Sequence, residues 1–257
     1  LIRQRQDTIK GWLLAMVFAL QIIPFSAAAD EAAYPFEPGE MLTYKLRWKF
    51  INAGTAVFQV QPPTQMHGIP AQHFVLTIRS SAFLDMFYKV RDRVEAYTDL
   101  DVTRSLLYTN EQREGSYSRD VTVTFDWQKE QAQFANRGEK LDPISVYPGT
   151  FDPLAAIYYL RTQELVPGDV LKAPATDGKR LVMGRVRVLE KQEVKVPAGK
   201  FDAFLVEPEL ARMGGVVRRS EAANVQIWVS ADRRQIPLKV SGSAKLGSFS
   251  AVLVSVE

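Results

Sequence analysis

The chain of 257 residues has no cysteine. That excludes disulfides, thiol chemistry, cysteine-ligated metals and a lipid anchor on a cysteine. Stability must come from an ordinary packed core, and the chain is long enough to build one. Histidine is almost as scarce, with only His67 and His73. They flank a predicted turn at Gly68 and Pro70, no carboxylate is close in sequence, and zinc needs three or four ligands. No metal site is expected: His67 reads as a turn residue and His73 as a strand residue facing solvent. An excess of one charge is also missing. Lys plus Arg number 32 against 29 Asp plus Glu, a formal net charge of +3. The basic residues are spread along the chain, with no stripe to suit nucleic acid.

Catalytic signatures are absent as well. Ser116, Ser118, Ser248 and Ser250 lie beside glycine in strand-turn contexts, and none sits in the G-x-S-x-G elbow. There is no phosphate loop, dinucleotide fingerprint or calcium loop, so no cofactor is expected. Glu111, Glu114, Asp120 and Asp126 read as charges on a solvated sheet face or at turns. A glycosidase would need two carboxyls held across a sugar-sized cleft. The expectation is a protein that is not an enzyme.

Long apolar runs are missing except near the start. Arg3, Arg5 and Lys10 precede "GWLLAMVFALQIIPF", and "SAAAD" then supplies small residues at Ala27 and Ala29. That is the pattern of a secretory signal peptide over residues 1–29, with cleavage expected after Ala29. The run is broken by Gln21 and Pro24 and is shorter than the ~20 apolar residues that span a bilayer. Residues 30–257 are expected to form a single soluble β domain, periplasmic and without a transmembrane segment.

From Pro38-Gly39 onward the chain shows period two. Leu42, Tyr44, Leu46, Trp48 and Phe50 share one face of "MLTYKLRWKF", with Thr43, Lys45, Arg47 and Lys49 on the other. "HFVLTIR", "VTVTFDW" and "NVQIWV" alternate in the same way. Turns are predicted at Pro62-Pro63, His67-Gly68, Asp99 to Asp101, Ala198-Gly199 and Ala231-Asp232. One segment departs from this pattern: "FDPLAAIYYLRTQELVPGD" has Asp152 as N-cap and Pro153 at the first helical position. Leu154, Ile157, Tyr158 and Arg161 follow at helical spacing, for a helix of about three turns. "AFLDMFYKV" is open between a helical turn and a loop.

The chain also echoes itself. "PGEML" returns as "PGDVL", "GIPAQHF" as "KVPAGKF", "RVEAYTDLDVTRSLL" as "NVQIWVSADRRQIPL", and "GSYS" as "GSFS", in the same order. The reading is a mostly β fold of antiparallel strands in two similar meanders, forming a sandwich or half-barrel. The halves are residues 38–127 and 167–257, joined by an insert, 128–166, that carries the one helix.

Six blocks, "GEMLTYKLRW", "VRDRVEAYTD", "EGSYSRDVTVTFD", "DPLAAIYYLR", "VPAGKFDAFLVEP" and "IWVSADRRQIPLKV", together resemble an uncharacterised family of exported bacterial proteins, domain of unknown function 3108. The resemblance implies an exported, largely β protein and supplies no activity or catalytic residue. "VQIWVSADRRQIPLKV" is similar, more loosely, to a hairpin of periplasmic lipid and lipoprotein carriers, which fold as open half-barrels.

One cluster points to a ligand site. Phe83, Phe87 and Tyr88 stand beside Arg91 and Arg93, so an apolar lid could touch an acyl chain while guanidiniums grip an anionic headgroup. Trp48 and Tyr117 are added as aromatic candidates. The alternative is that Arg91 and Arg93 meet solvent or pair with acids while the phenylalanines cap the core. The basic stretch Arg212 to Arg219 reads as a hairpin tip. The functional expectation is a lipid-like small molecule bound in the cell envelope; the alternative is an envelope adaptor working through another protein.

Overall fold

Alternating apolar and polar residues leave each strand with one face to bury, and in this protein most of those faces meet on one side of a single sheet, while Val188, Val206 and Val229 are buried on the other side against Leu160 and Leu165. The computed structural model describes residues 34–209, 224–244 and 247–257; the predicted signal peptide and the stretch Arg212 to Arg219 lie outside them. Fifteen strands pair antiparallel. The first group is β1 Met41–Trp48, β2 Ile51–Met66, β3 Ile69–Ser80, β4 Arg91–Asp99, β5 Ser105–Glu114, β6 Tyr117–Asp126 and β7 Gln131–Asn136, followed by the short β8 Glu139–Lys140 and β9 Ile144–Ser145. The second is β10 Val170–Thr176, β11 Leu181–Val196, β12 Gly199–Pro208, β13 Asn224–Ser230, β14 Pro237–Ala244 and β15 Gly247–Val256. One helical turn, α1 Ala82–Asp85, joins β3 to β4, and a helix, α2 Ala155–Arg161, precedes β10.

The two meanders do not face each other as separate sheets. β15 pairs with β1, with Trp48 opposite Phe249 and Leu46 opposite Ala251, so the order runs β10 to β15 and on through β1 to β8. Both meanders open with a short strand, of eight residues in β1 and seven in β10. A strand of 16 follows in each, and each closes on a strand of ten.

The sheet curls without closing its ladder. A core of Phe36, Val60, Phe74, Tyr108, Val123 and Phe134 takes in Ala173 and Leu181 from the opposite end of the strand order. The β10–β11 turn touches the β6–β7 side, where a Cβ on Gly178 would clash with Val123 and Lys179 lies over the Phe134 ring. A second cluster, around Leu42, Tyr44, Ile236, Leu238 and Leu253, receives Val194, Val196 and Phe201 from the β11–β12 hairpin. The two clusters share Phe58 and Leu76, so the core is continuous. Both edges are blunted: β8 has two residues, and β10 is bridged by Phe151, whose N–H donates to the Pro174 carbonyl and whose carbonyl accepts from Thr176. No long open edge is left among the described residues to recruit another strand.

Two expectations change. Pro62-Pro63 is not a turn. It lies inside β2 at the register break between Gln61 and Thr64, beyond the last β1 partner, where a residue lacking an N–H costs no ladder bond. The helix has seven residues, about two turns at 3.6 residues each, and stops at Thr162. Its start follows the sequence: the Asp152 carboxylate accepts from the N–H groups of Leu154 and Ala155, and its carbonyl accepts from Ala156.

Candidate functional site

The turns at one end of the sheet carry most of the exposed aromatic surface. The β1–β2 tip shows Trp48, Phe50 and Ile51, and the α1 segment shows Phe83, Met86, Phe87 and Tyr88. Tyr117 on the β5–β6 turn and Phe249 beside the β14–β15 turn complete the group. Eight aromatic side chains are exposed among the described residues, and Tyr147 is the one outside this rim. Hydrogen bonds tie the turns side by side. Lys49 N–H donates to the Ser248 carbonyl, Ser81 hydroxyl to the Asn52 carbonyl at 2.8 Å, and Gly115 N–H to the Lys89 carbonyl. Tyr88 hydroxyl reaches Glu114 at 3.3 Å. The rim therefore gathers Phe83, Phe87, Tyr88, Trp48 and Tyr117 at one end, although the sequence scatters them over seventy positions.

The core-facing side of the sheet is uncovered at that end. Along one face of β1, Leu42 is 2% exposed, Tyr44 3% and Trp48 45%. Along one face of β6, Val123 is 0% exposed, Val121 4% and Tyr117 51%. Side chains two residues apart in a strand share a face, so filled core gives way to open surface. Phe249 stands opposite Trp48 on the same side. Across the sheet the equivalent positions are polar: Gln112 faces Arg119 and Glu114 faces Tyr117.

Arg91 and Arg93 both take the alternative role. Arg91 donates to both oxygens of Asp85, at 2.5 and 3.1 Å, and to Ser80. The bonds from Arg91 and Ser80 hold the Asp85 carboxyl below its usual range. Arg93 donates to Glu95 at 2.6 Å. Arg91 engages Asp85, Ser80 and the Val90 carbonyl through its two terminal nitrogens, and the Arg93 charge is met by Glu95 through Nε, so neither is an unpaired cation. His73 is not a free solvent-facing histidine either: it bonds Glu95 at 2.7 Å and stacks on Tyr97 with centroids 4.2 Å apart. Burial pushes the Glu95 carboxyl up, but bonds from Arg93, His73 and Tyr97 outweigh it and leave it lowered. Burial and the Glu95 charge push Tyr97 up to about 12. The carboxylate that His73 lacks in sequence arrives from the neighbouring strand.

Other acids are placed as follows. Asp120 pairs with Arg113 at 2.5 Å and Asp126 with Lys129 at 3.0 Å. Burial and the neighbouring Asp92 carboxylate raise the Glu114 pKa. No group of three or more His, Asp or Glu suited to a metal occurs among the described residues. Two open clefts lie at the end opposite the rim. One of about 740 Å³ is lined by Pro35, Glu37, Arg233, Arg234 and Glu257; the other, of about 550 Å³, by Met66, Ile69, Arg104, Phe125 and Trp127.

Sequence reasoning missed two buried polar centres. Arg161, 1% exposed, donates to both Glu40 oxygens at 2.6 and 2.8 Å and to the carbonyls of Pro35 and Arg234. It also lies over the rings of Phe36 and Tyr158. Asp152, fully buried, accepts from Ser105 hydroxyl at 2.6 Å; burial pushes its carboxyl up to about 6 against those bonds. Both fasten α2 to the sheet. An arginine at a core position of a helical stripe is the signal that marks the first of them.

These features define an open, barrel-like antiparallel β protein with an apolar rim at one end. The chain belongs to the family described as Protein of unknown function (DUF3108), whose model matches residues 43–254. No curated protein matches it. Among solved structures it is similar to a beta-barrel-like protein of domain of unknown function DUF1849 from Brucella abortus. The identity is 11%, the TM-score 0.52, and the match covers 85% of this chain and 96% of that one. At TM-scores of 0.32 it also matches a protein from Bacteroides fragilis described as exported, with a YmcC-like fold (9% identity, 87% and 98% covered). A protein from Parabacteroides distasonis described as a lipoprotein gives the same TM-score (11% identity, 87% and 97% covered). No helix among the described residues is long and apolar enough to cross a membrane.

Proposed function

We propose that this is an exported, non-enzymatic envelope protein that binds a hydrophobic or lipid-like ligand at the open end of its core-facing surface. The observation that carries the reading is the loss of cover along single strand faces, from Leu42 to Trp48 and from Val123 to Tyr117. Trp48 and Phe249 would form the apolar wall for a chain. Arg119, whose guanidinium lies over Phe134 and which makes no salt bridge among the described residues, replaces Arg91 and Arg93 as the cation for a head group. The same reading takes β1–β6 and β10–β15 as two copies of one six-strand unit, supported by their matched strand lengths.

The test is native mass spectrometry of the exported chain purified without detergent, followed by solvent extraction and lipid analysis. A stoichiometric lipid, lost in a Trp48→Ala, Phe249→Ala double variant that stays folded, supports the reading. A clean apo mass sinks it in favour of the envelope adaptor.

A further inference from the structure

We infer that the tips of the rim dock onto an anionic phospholipid bilayer. The inference concerns the outer tips and stands apart from the ligand on the inner face. Phe50, at the apex of the β1–β2 turn, is 101% exposed, and Phe83, Met86 and Phe87 project from the α1 segment at 54, 69 and 75%. These side chains gain nothing from the protein's own core. They are held in place by the bonds that tie α1 to β2 and Lys49 to Ser248, so little ordering remains for a docking event to impose. Phe83 and Phe87 pack on each other with centroids 5.7 Å apart, and exposed apolar side chains gathered in this way mark an interaction surface.

The charges around the tips select the occupant. Arg47, Lys49 and Lys89 are exposed and make no ion pair among the described residues. Between residues 47–51 and 81–90 the one acid is Asp85, and its charge is matched by Arg91; Glu114, on the neighbouring β5–β6 turn, accepts from the Tyr88 hydroxyl. A cluster of Phe, Trp and Tyr bordered by unpaired Lys and Arg is the composition of a surface that settles at the headgroup level of an anionic membrane. An apolar protein partner would be served by the aromatics alone, without the unpaired cations.

All described structure falls in the compact unit Tyr34–Glu257, so the experiment uses a chain beginning at Asp30. It is floated with mixed phosphatidylethanolamine–phosphatidylglycerol vesicles or with pure phosphatidylcholine vesicles. The expected result is co-flotation with the anionic vesicles, weakened at least roughly tenfold by Phe83→Ser, Phe87→Ser together. Lys49→Glu, Lys89→Glu together should abolish the preference for anionic lipid and its salt sensitivity. Tyr147→Ser, which removes the exposed aromatic outside the rim, should change nothing. Failure of the wild type to float, or an equal loss with Tyr147→Ser, overturns the inference; so does a dimer in solution that Phe87→Ser dissociates. Lipid analysis of the protein left in the aqueous fraction separates the two ideas. Bound lipid there without flotation keeps the ligand and rejects the docking, and flotation with lipid-free protein does the reverse.

Discussion

Removing the Arg161 guanidinium should cost more stability than any exposed substitution, because four acceptor atoms depend on a side chain that is 1% exposed. Arg161→Met keeps the stem between Phe36 and Tyr158 but leaves the Glu40 carboxylate, itself 10% exposed, without a counter-charge. It also strips the donor from the Pro35 and Arg234 carbonyls. Breaking a buried pair from one side costs about 3–5 kcal/mol. For a domain of this size each kcal/mol lowers Tm by about 2–4 °C, so a loss on the order of 10 °C is expected. Glu40→Gln should cost less, since the amide oxygen still accepts one bond. The double variant removes both charges and should recover about 1–3 kcal/mol of the summed single costs. The assay is urea unfolding of the four proteins followed by tryptophan fluorescence. Single costs below about 1 kcal/mol, adding to within about 0.5 kcal/mol, would refute the idea that this pair locks α2 and the chain entry at Pro35 to the β13–β14 turn.

Three further outcomes are expected. The Asp152 carboxyl is raised to about 6 in the folded chain, so the folded state holds its proton more tightly than the unfolded chain, whose value is 3.8. Its contribution to stability is therefore fully present below 3.8 and is lost as pH rises through 6, by up to about 3 kcal/mol. Asp152→Asn keeps the cap to Leu154 and Ala155, and its stability relative to wild type should fall as pH drops from 7 to 4; a gap independent of pH contradicts this. Two buried tyrosines should respond in opposite ways. Tyr44 hydroxyl donates to the Pro237 carbonyl at 2.6 Å, whereas Tyr158 hydroxyl has no partner. Tyr44→Phe should cost about 1 kcal/mol and Tyr158→Phe should be neutral or stabilising in the same urea assay. Finally, a Cβ on Gly54 would sit 2.0 Å from the Arg79 carbonyl oxygen, so Gly54→Ala must push β2 and β3 apart. A loss of more than about 2 kcal/mol is expected, and a wild-type midpoint would show that the strands yield freely.

Much of the architecture could be read from local pattern. Leu42, Tyr44 and Leu46 alternate because a strand presents successive side chains to opposite faces. His67-Gly68 turns the chain because both residues take positive φ, 52° and 81°, which suits a two-residue hairpin. Asp152-Pro153 starts the helix because a carboxylate followed by a residue without an N–H meets the needs of a first turn. The distribution of Arg91 and Arg93 between ligand and acid could not be read. That choice depends on Asp85 and Glu95 reaching them at 2.5 and 2.6 Å, which only the α1 turn and the strand face fix.

The sequence by itself determined a cysteine-free chain of many short antiparallel strands with one capped helix after Asp152, since strand period, turn residues and helix capping act over a few neighbouring residues. The tertiary structure alone decided that the meanders join through β15 and β1 into one curled sheet. It placed Trp48, Phe87 and Tyr117 on one rim and Glu95 against His73. Those outcomes rest on pairing and burial between residues far apart in the chain. No local pattern encodes which of several similar apolar faces will be covered and which will be left open.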